Sequence, residues 1–390
     1  MASVKVVVEP RMLQWARERA GFTVQTLADK VGARPNKVAD WEIGGELTLK
    51  QAEEVAKKTH VPFGYLYLDA PPVEELPIND FRTVGSKPIE RISIELRETV
   101  DIAMARQDWY RDYAIRNGYP RLDFVGSLTG SEGIVPTAAR IRQKFDLDTS
   151  TRSGVATWEE ALSLQRGCLE NQGVLVMRTP FVGEGSNRPL DVDEFRGFAL
   201  SDDYAPLVFI NGADFKAAQM FTLMHELVHI WLGQSGISNL NRTHAQDLNI
   251  ERFCNAVAAE ILVPEAEIRL FNYDVTNIAQ LVNHFKVSHL VIFRRLSDFG
   301  MISNGEFVHQ YRRITEELEE KAQKAKAQKG KRGPSYYKTK ISRIGKPFIG
   351  AVIESTLEGR SLPTEAFHLL GVSNYDGIKK LAKEMKLPNF

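Results

Sequence analysis

Residues 214–234 read DFKAAQMFTLMHELVHIWLGQ, and this segment constrains the fold more than any other. Met220, Phe221, Leu223, Met224, Leu227, Val228, Ile230 and Trp231 surround two histidines and a glutamate, a pattern that predicts a core helix. His225 and His229 are four residues apart on one helical face, so both can reach one ion. Glu226, beside the first histidine, is placed to take a proton from water at that ion. The plain alternative is two buried core histidines with a paired or solvated glutamate. Burying three polar groups without partners is costly, and a metal removes the difficulty.

A catalytic zinc site needs a third protein ligand and an open position. Leu232 and Gly233-Gln234-Ser235 supply no third histidine at the spacing HExxHxxGxxH. The next acidic helix is NIERFCNAVAAEILVP, residues 249–264. Its Glu251 follows His229 by 22 residues, room for a loop and an antiparallel return. Asn255, four residues on and on the same face, can hydrogen-bond a ligand histidine. Glu260 is the rival ligand; nine residues from Glu251, it does not easily share that face. Cys254 reads as a small buried hydrophobe, with a zinc-ligand or redox role as its alternative.

At 390 residues the chain suggests two or three domains. No stretch approaches the length of a membrane span, and the short apolar run at the N-terminus ends at Glu9 and Pro10 without a signal-peptide pattern. Cys168 and Cys254 show no clustered spacing, so a reducing cytoplasm is the expected setting. The 50 basic and 50 acidic side chains cancel, but unevenly. Residues 1–72 hold 10 basic against 9 acidic, and residues 319–390 hold 15 against 7. Bulk attraction for polyanions therefore belongs to the C-terminal end.

Residues 1–72 read as short helices with tight turns. GFTVQTLADKVGARPNKVADWEIGG resembles the helix-turn-helix of the phage-repressor (XRE) family, with LADKVG and DWEIG as landmarks. That resemblance implies operator DNA as a partner through residues 23–45, met by Arg34, Asn36, Lys37 and Asp40. The near-zero charge of the segment argues against tight binding unaided, and a helical bundle for dimerisation or protein docking is the alternative. Residues 73–91 are rich in Pro and turn formers and read as a linker. Helices follow at 92–117, 136–145 and 158–172, then strands at 174–179, 195–201 and 205–211, the last two joined by a hairpin-length turn. Residues 276–302 resemble a second helix-turn-helix-like pair that packs in support of the active-site domain, leaving Arg294 and Arg295 solvated or open to an acidic partner. Residues 303–334 read as a charged helix and basic linker, and 335–390 as a small basic helical unit. Within it LLGVSNYDGIKKL weakly resembles a turn and following helix of a helix-turn-helix; a solvated face is the plainer reading.

FTLMHELVHIWLG followed by ERFCNAVAAEILVP resembles the ImmA/IrrE metallopeptidases, whose pattern is FTLAHELGH…ExxANxFAAxLLMP. FRGFALSDDYAPLVFIN and INDFRT resemble that family's strand pair and entry segment, extending the likeness over roughly residues 77–300. Val228, Cys254 and Val257 depart from it at packing positions. The resemblance implies a gluzincin-like site with Zn2+ held by His225, His229 and Glu251, Glu226 as base, and Asn255 behind a ligand. His244 and Tyr204 are the candidates for stabilising the transition state. It also implies an α+β fold, mainly α with a small β-sheet, with the zincin-like domain at 92–302. Family members are cytoplasmic zinc proteases that cleave a helix-turn-helix repressor; others fuse both modules and sit beside toxin genes. The substrate expected is thus such a repressor or the chain itself, in stress, mobile-element or toxin–antitoxin control, with a homodimer among the partners considered and no membrane. A DNA-binding antitoxin that neutralises a toxin without proteolysis is the alternative. A non-peptide metallohydrolase is a third, since HExxH does not fix the bond cleaved.

Overall fold

The chain is mainly α-helical with small sheets, an α+β architecture. The computed structural model describes residues 4–72, 78–80, 92–183, 185, 187–238, 248–271, 278–303, 305–314 and 335–387. Two units emerge, Met1–Pro77 with Pro88–Val100, and Ile78–Lys87 with Asp101–Phe390. Among the described residues no helix is long and apolar enough to cross a membrane.

The first unit contains β1 (Lys5–Val7), α1 (Pro10–Arg19), α2 (Val24–Val31), α3 (Pro35–Gly44), β2 (Glu46–Thr48) and α4 (Leu49–Thr59). Thr23 accepts the Thr26 N–H to cap α2, which ends at Gly32 in the left-handed region. Three residues separate it from α3, opened by Pro35. Thr48 and Gln51 form a reciprocal capping box on α4. Leu13, Ala16, Leu27, Val38, Trp41 and Val55 are buried together. Arg17 donates to both carboxylate oxygens of Glu42, at 2.6 and 3.0 Å, tying α1 to α3. The antiparallel pair β1–β2 departs from the all-helical reading of this region. Its β-branched start, Val6-Val7, suits an extended pair, but three residues are too short to show a period.

The second unit is built on a mixed five-stranded sheet. Its elements begin with β3 (Asn79–Asp80), α5 (Ile94–Arg116, which spans the unit boundary), α6 (Ile134–Phe145), α7 (Thr149–Ser153) and α8 (Trp158–Asn171). Then come β4 (Leu175–Thr179), β5 (Gly197–Leu200), β6 (Leu207–Asn211), α9 (Lys216–Trp231), β7 (Gly236–Ser238) and α10 (Leu248–Leu262). The order across the sheet is β3-β7-β5-β6-β4. The β5–β6 pair is the expected antiparallel hairpin, with Phe198 opposite Phe209, whereas β4 joins β6 in parallel. Strands β5 and β6 are buried along their whole length. Helix α9 lies on these two strands, and α10 packs against α9 and α6.

Beyond α10 come α11 (Glu265–Ile268), α12 (Ile278–Phe285) and α13 (His289–Asp298). Leu281, Phe285, Ile292, Phe293 and Leu296 join the core that holds α9, as the packing reading of this pair expects. Arg295 corrects the expectation of a solvated side chain. It is buried, ion-pairs with Glu260, and donates to the Val263 carbonyl at 3.0 and 3.1 Å. Among the described residues four further helices follow: α14 (Tyr336–Ile344), α15 (Lys346–Leu357), α16 (Pro363–Leu370) and α17 (Tyr375–Glu384). They join the same unit, with α14 against β4. Arg166 donates to Ser342 O at 2.7 Å, and Tyr113 to Glu354 at 2.5 Å.

Candidate metal centre

Helix α9 carries both histidines because its apolar residues leave it no exposed face to prefer. Met220, Leu223, Met224, Leu227, Val228 and Ile230 are all fully buried. His225, Glu226 and His229 go inside with them, at 0, 0 and 1% exposure. Close approach of α9 to the sheet depends on Gly197. A Cβ there would lie 2.5 Å from Thr222 Cγ2, 2.8 Å from the Phe209 carbonyl oxygen and 3.3 Å from Glu226 Cγ. Any side chain at 197 would push the helix away at the level of Glu226. No motif marks this residue, although a glycine inside a strand pattern is a signal of close approach.

Glu251, in the first turn of α10, meets both histidines. The His225 and His229 Nε2 atoms are 3.1 Å apart; Glu251 Oε1 is 3.1 Å from His229 Nε2, and Oε2 is 3.3 Å from His225 Nε2. Donors on a tetrahedral ion with bonds of about 2.0–2.1 Å stand about 3.3 Å apart, so these separations fit the edges of such a site. Neither Glu251 oxygen has an aligned hydrogen-bond donor, although both are buried. Two imidazole nitrogens and a carboxylate facing one point is the donor chemistry of zinc. These three form a group that could hold a metal ion.

The electrostatics are those of a crowded buried cluster. Burial opposes the charge of Glu251, but its two imidazole neighbours outweigh burial and hold its carboxyl well below the usual range. Burial pushes His225 down, against the pull of Glu251. For His229 burial acts the same way, but Cys254, Glu251 and Glu226 outweigh it and raise its pKa well above the ordinary imidazole value.

The ring nitrogens turned away from this point also have neighbours. Cys254 Sγ lies 3.9 Å from His229 Nδ1. Cys254 is fully buried, as the packing reading expects, and its thiol also faces the far side of the ring, behind the donor cluster. Asn255, one turn from Glu251, interacts with the His225 side chain and favours its protonated form. Glu260 is occupied elsewhere: Arg295 pairs with it, and the Glu265 N–H donates to Glu260 Oε1 at 3.0 Å.

Residues 169–297 match the IrrE N-terminal-like domain, Peptidase_M78. The matched segment contains α9 and all three donors, so the likeness to a metallopeptidase family and the buried cluster fall on the same residues. Residues 344–384 match a domain of unknown function, DUF8813. No curated protein matches the chain.

The remaining candidates are Tyr204, His244 and four residues of the first unit. Tyr204 is half-buried in the β5–β6 turn, past the end of β5 remote from Gly197, with its backbone N–H donated to Asp202. No contact joins it to the donors among the described residues. His244 lies outside the described residues. In the first unit Arg34, Asn36, Lys37 and Asp40 are exposed at the start and along one side of α3, with Lys37 paired to Asp40 at 3.7 Å.

Proposed function

We propose that the chain is a zinc-dependent endopeptidase whose N-terminal unit, an XRE-like helix-turn-helix, directs it to operator DNA or a regulatory protein. The observation that carries this reading is the convergence of His225, His229 and Glu251 at 3.1–3.3 Å beside a buried Glu226. His225, His229 and Glu251 would hold the ion. When bound, zinc supplies Lewis acidity, acidifying water and polarising a carbonyl. Glu226 takes the proton from the attacking water and passes it to the leaving amine. The apolar surroundings of α9 strengthen each charge interaction by excluding bulk water. The substrate class is a regulatory protein, a helix-turn-helix repressor or the chain itself, with residues 73–91 as the place of self-cleavage. Glu226 has no use in a scaffold that only binds, which favours chemistry over a non-proteolytic antitoxin.

The test compares wild type with Glu226→Gln on a proteome-derived peptide library, with intact mass recorded for the chain itself. Expected are zinc-dependent cuts that slow by about 10²–10⁴-fold in the variant while zinc is retained. Equal cleavage by both proteins would contradict the role of Glu226; no cleavage by zinc-loaded wild type would contradict the peptidase.

A further inference from the structure

The DUF8813 match contains a helix, a short turn and a second helix whose solvent face is basic. Helix α16 ends at Leu370, and Gly371 adopts φ 61° to reverse the chain. Four residues after α16, the Asn374 side chain caps α17 by accepting the Gly377 N–H at 3.1 Å. Gly377 has no room for a side chain, because a Cβ there would stand 2.9 Å from Val372 Cβ. Turn and second helix are therefore locked together. This is the construction of a helix-turn-helix.

One side of the pair is committed to packing. Ala366, Leu370, Ile378, Leu381 and Ala382 are buried. Buried Lys340 donates to Leu370 O and Gly371 O at 2.9 and 2.6 Å, placing positive charge at the C-terminus of α16. Arg106 Nε donates to Leu369 O at 3.1 Å, fixing the pair to α5. The opposite side exposes Tyr375, Lys379, Lys380, Lys383 and Lys386. Lys380 is paired with Asp376 at 2.7 Å. Lys383 and Lys386 meet no carboxylate among the described residues. Residues 321–334, KAQKAKAQKGKRGP, add six basic side chains and no acidic one just before the unit.

Lys379, Lys380 and Lys383 lie within about one turn of α17, and Lys386 follows just past its C-terminus, so four lysines line the C-terminal end of a helix narrow enough for a major groove. The face offers little apolar surface, and lysine is the residue that protein–protein interface cores avoid. Phosphate is the partner that fits. We propose that α17 is a docking helix for duplex DNA, with Lys379, Lys380, Lys383 and Lys386 on the phosphate backbone. This surface is independent of the peptidase reading.

The test measures binding of the full chain to a labelled duplex of random sequence, about 25 base pairs, by fluorescence anisotropy across about 50–200 mM salt. The variant is Lys379→Glu/Lys383→Glu/Lys386→Glu, with an unchanged circular-dichroism melt as its folding control. Arg34→Glu/Lys37→Glu reports any binding by the N-terminal unit. Expected is micromolar or weaker binding by wild type, an affinity loss on the order of tenfold or more in the α17 variant, and a salt slope shallower by about 0.9 for each phosphate contact removed. Unchanged affinity and slope in the α17 variant would overturn the proposal, as would failure of wild type to bind at the lowest salt. Equal competition by poly-glutamate of matched charge would replace duplex DNA with an acidic protein as partner.

Discussion

Helix α10 buries two carboxylates, and their surroundings differ in kind. Glu260 faces Arg295, a permanent cation, and accepts the Glu265 N–H as well. Arg295 also donates from Nε and Nη2 to the Val263 carbonyl. That site is complete with what the chain supplies. Glu251, nine residues earlier, faces, among the described residues, the Nε2 atoms of two histidines, all three groups turned to one point. Imidazoles carry charge only when protonated, and two adjacent imidazolium ions repel each other. The difference teaches how to tell a structural buried acid from a ligand. A resident guanidinium completes the first; the second needs a cation from outside.

Removing Arg295 breaks the complete site. Arg295→Ala leaves Glu260 buried without its counter-charge and costs about 3–5 kcal/mol, read from denaturant unfolding, while zinc stoichiometry in the folded protein stays the same. Parallel loss of stability and zinc in folded protein would mean that the two acids are not separate in function.

Cys254→Ala probes the other site from behind. The thiol sits 3.9 Å from His229 Nδ1; with Nε2 given to an ion, Nδ1 carries the ring's N–H and Cys254 Sγ would be its acceptor, holding the ring in place. Zinc affinity, measured by chelator competition, falls about 10–100-fold, and Cys254→Ser restores most of it. Equal affinity in the alanine variant would reduce Cys254 to packing.

The raised pKa of His229 gives the smallest effect. Its proton must leave for Nε2 to bind an ion, so zinc affinity drops as pH falls, by about tenfold per pH unit while one proton is displaced. Titration calorimetry in buffers of different ionisation enthalpy reads the released proton directly. No proton release near neutral pH would place His229 in its neutral form before binding.

Much of the site is legible in the sequence, because a helix fixes which residues meet. The spacing of His225 and His229, and the step from Glu251 to Asn255, are helical geometry written as numbers. The preference for Glu251 over Glu260 is legible too, from the helical face and the family pattern, but what occupies Glu260 is not, since it depends on Arg295 in α13. A signal was present: Arg295 falls three residues after Ile292 and two after Phe293, beside the buried stripe of α13. Cys254 is likewise one turn from Glu251 on the same side of α10. The strands at 174–211 announce themselves by continuous apolar runs, but the parallel partnership of β4 with β6 leaves no local trace. The shortest strands, β1, β2, β3 and β7, hold two or three residues each, too few for alternation to register.

The central claim is that Glu251, and not Glu260, completes a zinc site with His225 and His229. Metal content by inductively coupled plasma mass spectrometry tests it on purified wild type, Glu251→Ala and Glu260→Gln after zinc reconstitution. The account predicts about one zinc per chain in wild type and Glu260→Gln, and none in Glu251→Ala. Zinc retained at full stoichiometry and affinity in Glu251→Ala, or absent from wild type, would contradict it.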